Sequence, residues 1–279
     1  MVAGAVAGWL SASPAPAAPT APAAEAPPTG VYELGYPQVA RIGLELEAAL
    51  PPKARKQVPA QTLLLGQMSL PFVASAPPAD KTPPTAVLVS QGFVEFLNRV
   101  AHARAHEEAE AGFFARYSTR LSTDAGLTLV ANPVLTLPRE AWNFQTLNRQ
   151  ASYFNQMAGA LVAVDRAHHY LGHYRKHAAA LQRGEAAPPP INTLVSESEW
   201  RKAVLAGAEN ALACGLATDG LRTLLASFEN MSPRPAWAAY FIHPQANVKK
   251  VAKDLVKLER DFFMMDGKMQ SMSLSGSPP

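Results

Sequence analysis

The most distinctive chemical feature of the sequence is the clustering of its histidines. Six of the seven histidines fall in two segments with helical patterns. The first segment carries His102 and His106, and the second carries His168, His169, His173 and His177. Side chains four residues apart on a helix share one face, about 6 Å apart, and two imidazoles at that spacing can bind one metal ion. The sequence therefore predicts a metal site at His169 and His173.

The two histidine pairs have different surroundings. His102 and His106 lie in HARAHEEAE, which has no apolar flank, and we expect them on a solvated helix face where they titrate near neutral pH. The segment around His169 is strongly apolar, and polar groups on a buried helix need partners. Asp165 lies four residues before His169, so it extends the helix face of His169 and His173 by one turn. Both a metal site and a buried, hydrogen-bonded histidine cluster are consistent with this pattern.

Composition and charge limit the class of protein. The chain has 279 residues, 48% of them hydrophobic and 17% charged, so it can bury a sizeable core. The net charge is +3 without a dense run of Lys or Arg, which argues against a nucleic-acid partner. Cys214 is the single cysteine, so Cys-rich zinc sites are excluded and any metal must be held by His, Asp and Glu. We expect Cys214 to be a buried, inert thiol.

The composition divides the chain into three segments. Residues 1–35 are predicted to be a disordered, Ala- and Pro-rich leader, residues 36–263 a single domain, and residues 264–279 a flexible C-terminal tail. The apolar run Met1–Leu10, followed by small residues, is similar to the end of a secretory signal peptide, although a basic n-region is missing. We expect an exported or periplasmic protein on this basis, and a cytoplasmic one otherwise. No later stretch is apolar for long enough to predict an internal transmembrane segment.

Hydrophobic spacing predicts a mainly α domain (α+β) with a small β element. Ser196 to Glu199 (SESE) is typical of the start of a helix, because Ser and Glu at this spacing cap the first turn. Helices are predicted at 36–50, 93–117, 142–182, 198–216, 219–230 and 244–263. The two glycines of the segment 142–182, Gly159 and Gly172, are positions at which this central helix can kink. Extended segments are predicted at 62–74, 86–90 and 126–137.

The segment 161–177, LVAVDRAHHYLGHYRKH, resembles the active-site helix of the M48 zinc metallopeptidases, in which an HExxH motif follows an apolar run. AVLVSQGFVEFL resembles the strand and turn that precede that helix. LACGLATDGLRTLLASF and YFIHPQANVKKVAKDL resemble segments that follow it. Each motif is partial, and the likeness covers roughly residues 36–262. The resemblance implies a zincin-like helical domain.

The resemblance also implies a zinc cofactor with two histidine ligands and a later glutamate. His169 and His173 occupy the histidine positions, and Glu199 is the best candidate for the glutamate. Glu197 and Glu209 are the alternatives. His243, in an HP sequence similar to one at the end of these domains, is predicted either to help hold the site or to begin the last helix.

One departure from the family's motif bears directly on catalysis. The glutamate that takes a proton from zinc-bound water is replaced by Tyr170, and a phenol with a pKa of about 10 is a poor base at neutral pH. Asp165 and His168 are the neighbouring candidates for a substitute base. The resemblance therefore implies a metallopeptidase homologue with impaired or absent peptide hydrolysis. The alternative hypothesis is a non-catalytic, exported helical domain that binds a peptide or protein partner.

Overall fold

The computed structural model describes residues 35–58, 62–76, 86–123, 137–181 and 187–275. In these ranges the protein is mainly helical with a small three-stranded sheet, which confirms the predicted fold class. Nearly all of the predicted leader 1–35 and of the predicted extended segment 126–137 lies outside the described residues, and Gly35, the last residue of that leader, begins α1. The helices are α1 (Gly35–Ala48), α2 (Pro52–Arg55), α3 (Gln91–His106), α4 (Phe113–Thr123), α5 (Phe144–Tyr170), α6 (His173–Lys176), α7 (Ala178–Leu181), α8 (Glu197–Ala213), α9 (Asp219–Asn230) and α10 (Val248–Ser275).

The sheet contains β1 (Thr62–Gly66), β2 (Val73–Ala76) and β3 (Ala86–Ser90), in the order β1-β3-β2. Strand β1 pairs parallel to β3, and β2 pairs antiparallel to it. The predicted extended segment 62–74 is thus two strands, which lie on opposite sides of β3. Strand β2 packs against α5 as well as pairing with β3, so the sheet brings one of its edges to the central helix.

Helix α5 is the element around which α1, α3, α8 and α9 pack. It has 27 residues, which corresponds to a length of about 40 Å. From Met157 onward nearly every side chain is buried, because neighbouring helices cover several sides of it. The sequence predicted one helix from 142 to 182, but α5 ends at Tyr170 and two single-turn helices follow.

Two other helices differ from their predicted bounds. The predicted helix 93–117 is two helices, α3 and α4, separated by a turn at residues 107–112. The last helix continues past residue 263, where the flexible tail was predicted to begin, as far as Ser275. Residues 264–275 are rich in Met and contain no proline, so nothing in their backbone chemistry ends the helix at residue 263.

Helices α5 and α8 pack closely together at Gly207. A Cβ atom at this position would lie 2.6 Å from the backbone nitrogen of Val164 and 2.7 Å from its Cα. Backbone atoms cannot rotate away as a side chain can, so a methyl group here must push the two helices apart.

We expect Gly207→Ala to lower the free energy of unfolding by about 1–3 kcal/mol, because overpacking a closed helix contact strains the core. Urea denaturation measures the change. Gly66→Ala is the control, since the nearest atom to its added Cβ is the flexible Met68 Cε at 3.8 Å. Equal effects of the two substitutions would contradict a close α5–α8 contact.

Candidate functional site

A buried polar network joins strand β2 to α5 and α6. The Ser75 hydroxyl donates to Asp165 Oδ2 at 2.6 Å, and the Ser75 backbone N–H donates to Asp165 Oδ1 at 3.3 Å. The Tyr174 hydroxyl also donates to Asp165 Oδ1. All three residues are buried. The carboxylate therefore accepts three hydrogen bonds, which compensate for the loss of water around a buried charge.

His169 is tied into the same network through Ser75. Its Nε2 lies 2.6 Å from Ser75 Oγ, and its ring stacks on Tyr174 with centroids 4.3 Å apart. Because the single hydroxyl proton of Ser75 goes to Asp165, Oγ must accept from His169, and Nε2 must carry the ring proton. Burial lowers the pKa of His169, and the nearby Asp165 charge opposes that shift only in part. His169 is thus a neutral donor.

His168 and His173 form a second buried pair. Their Nδ1 atoms are 2.9 Å apart, so one ring donates a proton and the other accepts it. Burial lowers the pKa of His168 to about 3, and the neighbouring histidines add to the shift. Burial also lowers the pKa of His173, against an opposing effect of Glu199. Both imidazoles are therefore neutral near neutral pH, which leaves one proton to bridge the two Nδ1 atoms.

The turn at Gly172 separates the two predicted zinc ligands. The φ of Gly172 is +79°, which lies in the left-handed region that favours glycine. The turn ends α5 just before His173. The Gly172 N–H donates to the His169 carbonyl at 2.9 Å. His169 and His173 are therefore not one turn apart on a continuous helix. His169 contacts Ser75, while His173 contacts His168.

Glu199, the predicted third ligand, lies in the first turn of α8. It closes a capping box with Ser196, whose backbone N–H donates to Glu199 Oε2 at 2.8 Å. Lys176 Nζ donates to its Oε1 at 2.7 Å. The bond from Lys176, followed by the bonds from Ser196, lowers the pKa of Glu199 to about 2. This carboxylate is thus committed to the helix terminus and to Lys176.

The predicted donor set does not fit zinc in this arrangement. A metal ligand must offer a lone pair, and because His169 Nε2 carries a proton and donates to Ser75, the lone pair of this ring is on Nδ1. His173 Nδ1 is paired with His168. Over residues 35–58, 62–76, 86–123, 137–181 and 187–275, no three His, Cys, Asp or Glu side chains are grouped to hold one ion. Zinc binding by His169, His173 and Glu199 stays a prediction, and holding the ion requires these side chains to move.

The residues considered for base catalysis are also unsuited to it as they stand. Burial raises the pKa of Tyr170 to about 12, and the charge of Glu209 adds to the shift. Asp165 is surrounded by hydrogen-bond donors, and His168 is buried with a strongly lowered pKa. Of the alternative ligands, Glu197 is partly exposed and Glu209 is exposed on α8.

Sequence analysis did not assign Ser75 or Tyr174 to the site. Ser75 precedes Asp165 by 90 residues and lies in a four-residue strand, so no spacing links the two. Tyr174 follows Asp165 by nine residues, a separation that brings side chains together only because the chain turns at Gly172. The signal available in the sequence was Asp165 itself, because an aspartate within an apolar helix needs hydrogen-bond donors from other elements of the fold.

The prediction that His102 and His106 lie on a solvated face is wrong. They are 2% and 3% exposed. His102 Nε2 lies 2.7 Å from the Ala141 carbonyl oxygen, and the His106 ring packs edge-on against Phe113. The alanines that alternate with these histidines allow α5 and the 3-10 turn Arg139–Trp142 to pack close to α3 and cover them.

The contacts of Cys214 and His243 are those of residues that stabilise the fold. Cys214 is only half-buried rather than fully buried as predicted, and burial raises the pKa of its thiol. His243 is buried, and its Nδ1 accepts a hydrogen bond from the Gln245 backbone N–H at 3.1 Å. It lies five residues before Val248, so it does not begin the last helix.

We expect Ser75→Ala to lower the free energy of unfolding by about 1–3 kcal/mol, because it removes a donor to Asp165 and leaves the His169 N–H buried without its acceptor. Ser227→Ala is the matched control. Ser227 is also fully buried, but its hydroxyl donates only to the Leu224 carbonyl within its own helix. Chemical denaturation compares the two. A loss for Ser75→Ala no larger than that for Ser227→Ala would contradict the network.

The lowered pKa of His168 predicts that the fold loses stability in acid. Its pKa falls from 6.5 to about 3 on burial, so the unfolded chain binds a proton in this range that the folded chain does not. The stability that depends on neutral His168 is complete above pH 6.5 and is lost as the pH falls towards 3. In His168→Gln, the free energy of unfolding should therefore fall less steeply over this range. Denaturation curves at several pH values provide the test, and an unchanged slope would refute it.

Comparisons with known proteins leave the function to be inferred from the site. No protein-family model, no curated protein and no solved structure matches the chain. Among the helices of the described ranges, none has both the length and the apolar character needed to cross a membrane. The chemistry of the buried side chains is therefore the basis for a functional proposal.

Proposed function

We propose that the chain is an M48-like metallopeptidase homologue without peptide hydrolysis, in which the histidine-rich centre is a buried structural network. The observation that carries this proposal is the hydrogen bond between His169 Nε2 and Ser75 Oγ at 2.6 Å. It makes Nε2 a proton donor, so this nitrogen cannot bind zinc unless its bond to Ser75 breaks. A histidine at the first ligand position is thus a hydrogen-bond donor to the fold.

The position of the histidines in the fold supports the proposed ancestry. The resemblance implies a strand and turn before a buried helix that carries the histidines. Strand β3 leads directly into α3, and the histidines lie in the buried end of α5 and in α6. Strand β2 lies against α5 beside them. These features are compatible with a zincin-like domain.

The chemistry of the neighbouring side chains supports the loss of hydrolysis. Water activation needs a base with a pKa near the working pH. Tyr170 replaces the family's glutamate. Because its pKa is raised, a smaller fraction of it is phenolate at neutral pH than for an ordinary tyrosine, so less of it can act as a base. The hydrogen bonds that Glu199 accepts from Lys176 and Ser196 occupy the carboxylate of the third expected ligand.

A second candidate function is a non-catalytic, exported domain that binds a peptide or protein partner. Exposed aromatic side chains at the start of α5 favour it, since Trp142 is 53% and Phe144 is 87% exposed. Aromatic residues are enriched at protein interfaces, where they bury large apolar areas. The two candidates are compatible, because a scaffold that has lost hydrolysis can retain a binding surface.

Metal analysis and a casein assay test the proposed function on the purified full chain. We expect less than stoichiometric zinc and no cleavage in the wild type, because His169 Nε2 donates to Ser75 and the Glu199 carboxylate accepts from Lys176 and Ser196. We expect the same of Tyr170→Glu, which restores the family's base but leaves the Ser75 bond intact.

His169→Ala and His173→Ala serve as controls for metal content, with His102→Ala as a matched buried histidine outside the centre. Stoichiometric zinc that is lost in the first two variants and kept in the third would overturn the proposal. Zinc-dependent casein cleavage by the wild type or by Tyr170→Glu would do the same, since it would require a working metal centre.

A further inference from the structure

We infer that one ordered water molecule binds in a small, partly open cavity beside the network, held by Asn192, Asp165 and His168, and that it fixes the ring protons of His168 and His173. The inference rests on a cavity, on two unpartnered buried polar atoms in its wall and on a count of the protons available. It is independent of the proposed metallopeptidase ancestry.

The cavity lies between β2, α5 and the 3-10 turns Ile191–Thr193 and Ala236–Tyr240. Its volume is about 20 Å³, which accommodates a molecule the size of water. Most of its wall is apolar. Four lining residues have polar side chains, and since the Tyr240 hydroxyl already donates to the Pro188 carbonyl, the candidate partners for water are Asp165, His168 and Asn192. A water molecule needs two to four polar partners to be stable inside a protein, and these three meet that requirement.

Two of the three candidate residues have a polar atom without a partner. His168 Nε2 and Asn192 Oδ1 are buried and make no hydrogen bond to protein atoms. The orientation of the Asn192 amide is fixed, because its Nδ2 donates to the Ala239 carbonyl at 3.0 Å and Oδ1 is therefore the remaining atom. His168 Nδ1 is held by His173, which leaves Nε2 as the free ring nitrogen. Leaving both atoms unpaired would cost about 1–3 kcal/mol each.

The proton count sets the direction of each bond. Asn192 Oδ1 and the Asp165 carboxylate can only accept, so the two protons of the water molecule go to them. The water oxygen then accepts, and His168 Nε2 must be the donor. His168 Nδ1 is consequently unprotonated, and the proton between the two rings belongs to His173 Nδ1. One water molecule thus determines the tautomer of two histidines.

A metal ion fits this cavity less well than water. Zinc sites in proteins are built from three or four Cys, His, Asp or Glu ligands, whereas this cavity offers only His168 and Asp165 of those types. The Asp165 oxygens already accept three hydrogen bonds. Water satisfies the donor and the acceptor with the ligands present.

Nuclear magnetic resonance of the ¹⁵N-labelled full chain tests the inference. Long-range proton–nitrogen correlations should show His168 protonated at Nε2 and His173 protonated at Nδ1. The Hε2 proton of His168 should exchange magnetisation with a bound water molecule. Asn192→Leu removes the acceptor and should abolish that water contact.

Asn210→Leu is the matched control. Asn210 is also buried, donates through Nδ2 to a carbonyl, that of Leu46, and has an unpartnered Oδ1, but it does not line the cavity. The water contact should survive in this variant. Protonation of His168 at Nδ1, absence of a water contact in the wild type, or its persistence in Asn192→Leu would overturn the inference. The wild-type tautomers decide the question even if a variant fails to fold.

Discussion

The buried carboxylate of Asp165 is the constraint on which the centre of this protein depends. An anion in an apolar interior is tolerated only if donors replace the water it has lost. The three donors come from Ser75 on β2 and Tyr174 on α6. The sheet and the chain beyond α5 must therefore be fixed against α5 at the same time. The left-handed turn at Gly172 meets this demand by folding Tyr174 back onto the helix.

The distribution of protons follows from that constraint. Ser75 gives its proton to Asp165, so it requires one from His169, and the histidine becomes a donor. Residue types that would form a metal centre in other surroundings thus form a hydrogen-bonded network here. What decides between a metal centre and such a network is the number of hydrogen-bond donors around the Asp165 carboxylate. That number cannot be read from the identities of the histidines.

The sequence predicted those parts of the fold that depend on local chemistry. The bounds of α9 and β3 and the cap of α8 at Ser196 agree with the structure, because amphipathic spacing and capping residues act within a few positions. A kink at Gly159 or Gly172 was open from the sequence, but the end of the helix at Gly172 was not predicted, since a glycine within a proline-free segment does not reveal its φ. The partner of Asp165 was missed because Ser75 lies 90 residues away. The burial of His102 was missed because it depends on how closely other elements approach α3.

The sequence separation within the network has a consequence for how the protein folds. Ser75 meets Asp165, His169 and Tyr174 across 90, 94 and 99 residues, so these contacts close long loops and come at a large cost in chain entropy. Contacts of this kind slow folding relative to those between neighbouring helices. Docking of β2 on α5 is therefore one of the slow, long-range steps of folding, together with the docking of α1, whose contacts with α5 and α8 span 123 and 164 residues.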